Sequence, residues 1–198
     1  MADRRDKYYI RAKKDNFRSR AVYKLSEIQE KFAIVRDQDL VLEIGSAPGG
    51  WTQFLLSIDG VRVISVDRSP YLQLEDAIQI RKDIFSEDML RVLEENLRSI
   101  GSGGFNVVLS DAMSHTSGNH SRDHASSYMI CDRVMSIAEK LLLPGGNAMV
   151  KHFQGDLTKG LIEKWAWKFR GYKITTPRAS RPGSREIYII FFNLREKL

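Results

Sequence analysis

Cys131 is the only cysteine in 198 residues. No internal disulfide can form, and a reducing, cytosolic setting is expected. Long apolar runs are missing as well. None approaches the ~18 residues of a membrane span, and the opening MADRRDKYYIRAKK has no apolar signal-peptide core. No Gly-x-Ser-x-Gly occurs, which excludes a hydrolase nucleophile elbow. His115, His120 and His124 fall in one stretch, but their spacing matches no tight metal motif and no cysteine is nearby. They are expected to be polar loop residues, and no metal is expected. Compositional bias is absent: 42% hydrophobic and 28% charged residues are ordinary for a soluble protein and exclude disordered and collagen-like classes. At roughly 150 residues per domain, a single domain over 1–198 is expected. A chain of this size buries roughly two-thirds of its unfolded surface, enough for a core without cross-links.

Acidic residues are missing from one stretch in particular. Residues 164–185 carry seven Lys/Arg and no Asp or Glu. Residues 1–24 carry nine Lys/Arg against three Asp, while the chain as a whole is only +6, so the intervening body is acidic. An acidic body with two basic segments is the charge asymmetry of a polyanion binder. Tyr8, Tyr9, Phe17 and Tyr23 interleave the first segment and are candidates to stack on bases.

Short apolar runs alternate with helical patterns. The strand-like runs are 40–45, 61–67, 78–83, 105–111, 147–153, 172–176 and 186–193, and helices are expected near 18–34, 50–58, 86–100, 121–142 and 157–169. Leu90, Leu93 and Leu97 recur at helical spacing, as do Val134, Ile137, Ala138 and Leu141. Pro144-Gly145-Gly146 reads as the stop of the 121–142 helix. Such alternation predicts an α/β fold with a mostly parallel sheet covered by helices on both faces. The last two strands are joined by a loop alone (177–185), so one of them is expected to be antiparallel. Loop 112–124 is long for a compact domain, a sign of function. Leu161, Trp165 and Phe169 form the apolar face of one helix, and Cys131 reads as a small core hydrophobe.

The run Leu42-Glu43-Ile44-Gly45-Ser46-Ala47-Pro48-Gly49-Gly50-Trp51 joins the first strand to a helix. Its glycines allow a tight turn and close approach of backbone to a ligand. Asp67 ends the next strand, 22 residues after Gly45, where an acid can bind two ribose hydroxyls. Ala47 occupies the middle glycine position of the dinucleotide fingerprint, and no Gly-Lys-Ser/Thr of a Walker loop follows. A nucleoside cofactor at the carboxyl ends of parallel strands is the reading that remains.

Glu43-Ile-Gly-Ser-Ala-Pro-Gly-Gly-Trp-Thr-Gln53 resembles the cofactor loop of the FtsJ/RrmJ family of S-adenosylmethionine-dependent RNA ribose 2′-O-methyltransferases. The chain is also similar to that family at Arg18-Ser-Arg-Ala-Val-Tyr-Lys-Leu25, Leu109-Ser-Asp111, Val150-Lys151-His-Phe-Gln-Gly155 and Ser184-Arg-Glu-Ile-Tyr188, in order over residues 7–193. The resemblance implies a Rossmann-like methyltransferase fold whose seven-stranded sheet takes its final strand in antiparallel. It implies a catalytic tetrad of Lys24, Asp111, Lys151 and Glu186, and cofactor contacts at Gly49, Trp51, Asp67, Asp83 and Asp111. S-adenosylmethionine is then the cofactor. The implied substrate is a uridine of large-subunit ribosomal RNA, with transfer RNA, a non-catalytic RNA-binding factor and a small-molecule methyltransferase as rivals. A monomer acting in the cytoplasm, with RNA as its partner, is expected.

Methyl transfer to a ribose 2′-hydroxyl needs a positioned base and an oriented hydroxyl, because the neutral hydroxyl is a poor nucleophile. Lys151 sits among Ala148, Met149, Val150 and Phe153 at the end of a strand expected to be buried, where the ammonium form is disfavoured. Lys151 is accordingly the expected base or hydroxyl-orienting group, Asp111 its anchor, and Lys24 and Glu186 substrate-positioning partners. One departure stands out: after Asp111 the family's Ala-Pro pair is replaced by Ala112-Met113-Ser114-His115. The basic segment 1–24 is expected to contribute RNA affinity more than stability, so that loss of 1–17 leaves melting unchanged.

Overall fold

The computed structural model describes residues 6–114, 117–181 and 183–196. Seven strands form one sheet in the order β3-β2-β1-β4-β5-β7-β6. They are β1 (Leu40–Ile44), β2 (Arg62–Asp67), β3 (Ala77–Arg81), β4 (Phe105–Ser110), β5 (Leu142–Phe153), β6 (Phe169–Thr175) and β7 (Glu186–Leu194). β1 to β5 run parallel, and β7 is antiparallel to both β5 and β6, as the resemblance implies. Each central strand is apolar on both sides because each side meets helices. Leu40, Leu42 and Ile44 enter one core layer and Val41 the other; Ile187, Ile189 and Phe191 face the first, Tyr188 and Ile190 the second.

The first layer is covered by α4 (Met89–Ser99), α5 (His120–Leu141) and α6 (Thr158–Ala166), the second by α2 (Val22–Phe32) and α3 (Gly50–Leu56). α4 buries Met89, Leu93 and Leu97, one stripe at helical spacing. α5 starts within the expected loop, because the Asn119 side chain accepts the Arg122 N–H and caps it. α6 stops before Phe169, which opens β6 yet fills the same core layer as Leu161 and Trp165. The helix ends at Leu141, three residues before Pro144, in line with the reading of Pro144-Gly145-Gly146 as its stop. These three residues then bulge out of β5, whose register jumps from Phe105↔Leu142 to Val107↔Asn147. A Cβ on Gly146 would lie 2.7 Å from the Asn106 carbonyl oxygen, so the bulge demands glycine. Among the described residues no helix is long and apolar enough to cross a membrane.

A helix that the sequence reading did not foresee, α1 (Lys7–Lys14), lies in the basic N-terminal segment. Arg4 and Arg5 of that segment lie outside the described residues. α1 is folded back on Tyr23. The Tyr8 ring is 5.7 Å and the Phe17 ring 6.2 Å from that of Tyr23, the Arg11 guanidinium lies over its face at 4.6 Å, and its hydroxyl donates to Asp15 at 2.7 Å. Arg20 pairs with Asp6, and Ala12 is buried. Tyr8 and Phe17 therefore pack against Tyr23, the first tilted and the second edge-on, while all three residues stay partly exposed. Deleting residues 1–17 is expected to lower unfolding free energy by about 1–3 kcal/mol in urea titrations. An unchanged midpoint would make α1 a passive appendage.

Candidate active site

Strand register assembles the site. Ser110 of β4 is paired with Val150 of β5, so the next residues, Asp111 and Lys151, stand side by side where β4 ends and β5 runs on beside β7. Lys151 is directly opposite Tyr188 of β7, and Glu186 is two residues before Tyr188 on the same face. α2 lies over this face and delivers Lys24. The four residues named by the resemblance are thus brought into two ion pairs: Lys151 Nζ is 2.9 Å from Asp111 Oδ1, and Lys24 Nζ is 2.6 Å from Glu186 Oε1. Lys151 also donates to the Asp111 carbonyl, and the Tyr188 hydroxyl donates to Asp111 Oδ1 at 2.7 Å. The Ser180 hydroxyl donates to Glu186 Oε1 at 3.0 Å. Glu186 is buried and paired with Lys24, not with the neighbouring Arg181 or Arg185.

Burial alone would raise the Asp111 carboxyl. The charges of Lys151 and Lys24 and the hydrogen bonds from Lys151 and Tyr188 outweigh it and hold the carboxyl below its usual range. Burial and the charges of Asp111 and Glu186 push the Tyr188 phenol far above its ordinary value, so it remains a donor. Around the two pairs opens a cleft of about 500 Å³, rimmed by Arg20, Arg181, Arg185 and Gln154. These arginines come from the two basic stretches of the sequence.

A second cavity of about 270 Å³ lies at the carboxyl ends of β1, β2 and β3. Asp67 and Asp83 line it, with Ile84, Phe85, Met129 and Ile130 as apolar walls. Asp67 accepts the Ala47 N–H at 2.9 Å on one oxygen and the Ser69 N–H at 2.7 Å on the other, which fixes the carboxylate and leaves lone pairs facing outward. Asp83 accepts the Phe85 N–H at 2.9 Å. Gly45 has φ +81°, and a Cβ there would sit 2.5 Å from the Ala112 backbone; only glycine lets the two turns touch. Met113, next to Ala112, lines both cavities.

Gly49 and Trp51 do not line this cavity. The Trp51 indole is buried in the second core layer, 6.0 Å from the Tyr188 ring, and its N–H donates to the Ala21 carbonyl at 2.8 Å. The indole thereby ties the glycine turn to α2. A Cβ on Gly49 would meet Arg18 and Tyr71 at 3.1 Å each. Those two residues carry structure that the sequence reading did not assign. Arg18 donates to the carbonyls of Leu72 and Gln73, and the Tyr71 hydroxyl bridges Ser46 and Ser65 at 2.8 Å each. Arg18 and Tyr188 both stand within motifs that signalled the family, and Met113 in the departure after Asp111; nothing local signalled Tyr71.

His124 lines the cleft, with both ring nitrogens engaged: Nδ1 donates to the Phe153 carbonyl at 2.6 Å and Nε2 accepts the Leu157 N–H at 2.9 Å. His152 is pushed down to about 4, by burial first and then by His124. His115 lies outside the described residues. Among the described residues no His, Cys, Asp or Glu cluster is arranged to hold a metal.

Glu43 occupies the buried end of β1 on the active-site face, and its carboxylate accepts the Thr52 hydroxyl at 2.6 Å. Burial raises it to about 8 against that hydrogen bond, with the charges of Asp111 and Asp67 adding to the rise. A carboxyl raised on folding stabilises fully below its unfolded value, and that contribution is lost as pH rises through the folded value. Melting temperature is therefore expected to fall from about pH 5 to about pH 8 and to level off above that, and Glu43→Gln to flatten the fall. An equal fall in the variant would assign the dependence to another group.

Residues 17–194 match the family model for FtsJ-like methyltransferases. The ribosomal RNA large subunit methyltransferase E of Picrophilus torridus is 49% identical over 191 residues, covering 96% of this chain and 98% of that protein. Its counterpart in Thermoplasma acidophilum is 50% identical over 197 residues, covering 99% and 95%. A ribosomal RNA methyltransferase structure from Plasmodium falciparum superposes with a TM-score of 0.80 at 26% identity, covering 91% of this chain and all of that one. With two touching cavities at the carboxyl edge of a seven-stranded sheet and a family match over almost its whole length, this chain belongs to the FtsJ-like methyltransferase family.

Proposed function

We propose that this enzyme methylates a ribose 2′-hydroxyl of large-subunit ribosomal RNA, a uridine by family resemblance, with S-adenosylmethionine as donor. The observation that carries the reading is the meeting at Met113 of an acid-and-apolar cavity with a basic cleft built on Lys151 and Asp111. The first cavity suits the cofactor: Asp67 has lone pairs left for ribose hydroxyls, and Ile84, Phe85, Met129 and Ile130 offer apolar surface to a base. When bound there, the cofactor supplies a methyl group on a positively charged sulfur, a strong electrophile.

The protein's own part is to bring a hydroxyl into line and take its proton. The Lys151 ammonium of the resting ion pair must give up one proton to solvent before it can act as a base. The amine that results has two N–H donors and one lone pair. Asp111 has two acceptors for Lys151, its Oδ1 and its carbonyl, and occupying both aims the lone pair at the cleft. A 2′-hydroxyl that donates to that lone pair is oriented and made nucleophilic in one contact. Asp111 then holds the ammonium that forms, and Tyr188 keeps Asp111 ionised and in place. Lys24, neutralised by Glu186, is free to position the ribose without adding a bare charge. Arg20, Arg181 and Arg185 at the rim suit flanking phosphates.

Lys151→Ala is expected to lower the single-turnover rate about 10²–10⁴-fold, the usual worth of a general base, while cofactor affinity by calorimetry is unchanged. Turnover near wild type would sink the assignment. Arg181→Glu with Arg185→Glu should weaken RNA binding and flatten its dependence on salt by about 0.7–0.9 in log–log slope per lost phosphate contact. An unaltered slope would move the RNA path elsewhere. The deciding experiment is transfer of labelled methyl to unmodified large ribosomal subunits and, in parallel, to transfer RNA, with the site mapped by resistance to alkaline cleavage. Label in a large-subunit ribose supports the proposal. Label only in transfer RNA overturns the substrate and keeps the chemistry.

A further inference from the structure

Beyond the cleft, on the other side of Gln154, the structure holds a third cavity of about 380 Å³ between α6 and β6. Gln154, Thr158, Lys159, Ile162, Glu163 and Tyr172 form its walls. Methyl transfer uses none of them. The separating turn is tightly fastened. The Gln154 N–H donates to the Arg185 carbonyl at 2.9 Å, Gly155 N–H to Thr158 Oγ1 at 3.0 Å, and Leu157 N–H to His124 Nε2 at 2.9 Å. A Cβ on Gly155 would strike the His124 ring at 2.8 Å, so glycine is what lets the turn seat on that ring. On this rigid ridge the Gln154 side chain is exposed and makes no hydrogen bond among the described residues, although its backbone is fixed.

Tyr172 supplies the opposite wall and is 45% exposed, unusual for a tyrosine on a strand beside a packed helix; Ile174, two residues on, is 46% exposed. Lys173 and Arg170 share this strand, which lies in the acid-free stretch 164–185. Lys159 stands at the mouth, paired loosely with Glu163 at 3.6 Å. A flat aromatic face, an unspent amide carried on a fixed backbone and the Lys159 ammonium at the mouth match the needs of an unpaired nucleobase: a surface to stack on, an edge to hydrogen-bond, and a cation for its phosphate. The notch adjoins the catalytic cleft at Gln154, which lines both.

We infer that the α6/β6 notch binds an unpaired base of the substrate strand close to the target nucleotide, stacked on Tyr172 and read by Gln154. The inference rests on the RNA reading above and adds a second, specificity-bearing contact to it. A strand held at two points would fix which ribose reaches Lys151.

The test uses the full chain with an RNA hairpin from the large subunit that carries the target. Tyr172→Ala is expected to weaken RNA binding, and raise KM for RNA, about five- to a hundred-fold, the range of one lost base–aromatic stack. KM for the cofactor should not move, and Tyr172→Phe should bind like wild type because it keeps the ring. Abasic substitutions are then scanned along the hairpin. One position should reproduce the loss in the wild-type enzyme and add nothing in Tyr172→Ala. Wild-type affinity in Tyr172→Ala, equal losses in Phe and Ala, or additivity at every abasic position overturns the inference. Tyr172→Ala that binds the hairpin normally and the assembled subunit weakly also overturns it, in favour of a protein-facing surface. Failure of the wild-type chain to bind or methylate any RNA defeats the RNA reading itself, a distinct result.

Discussion

An ion pair withdrawn from water at the end of two neighbouring strands governs the rest of this structure. Taking Lys151 and Asp111 out of solvent costs several kcal/mol per ion. That cost is met only where further hydrogen bonds complete the pair. Tyr188 and the Asp111 carbonyl supply those bonds, and strand register puts both within reach. A second pair, Lys24 with Glu186, closes the group from α2 and the start of β7. Four ionised side chains with no net charge then stand at one spot, and the positive field of the cleft comes from the arginines at its rim.

The same economy joins the two cavities. Gly45 and Ala112 are in backbone contact, so the ends of β1 and β4 meet with no side chain between them. The cavity beside β2 and β3 and the cleft beside β5 and β7 therefore share a wall one residue thick, at Met113. Arg18 reaches from the segment before α2 to the carbonyls that follow Tyr71, across the glycine turn. The N-terminal segment thus rims one cavity and clamps the turn under the other. Within it, ring contacts of Tyr8 and Phe17 with Tyr23 hold α1 to α2.

How much of this was legible beforehand differs with the kind of information. The alternation of apolar runs with helical stripes was local, and all seven strands and the five expected helices stand near their predicted ranges. Boundaries slipped where a short-range signal competed with a longer one. Asn119 capped a helix inside the stretch that also read as loop, and Pro144-Gly145-Gly146, beyond the helix end, became a bulge where the Asn106 and Leu143 carbonyls crowd Gly146. The Trp51 indole fills the gap between α2 and Tyr188, a placement that no local pattern around the glycine turn signals.

The sequence by itself determined the strand–helix alternation, the two basic stretches, the glycine turn and the presence of an isolated lysine in an apolar strand. These are properties of composition and spacing, and burial acts on them through periodicity alone. Only the tertiary structure decided which residues meet. Lys24 and Glu186 are separated by 162 positions and touch because β7 is inserted antiparallel beside β5. The same insertion sets Tyr188 opposite Lys151 and leaves β6 at the edge, with Tyr172 uncovered. Contacts of that kind depend on pairing between distant strands, and no local pattern carries the register.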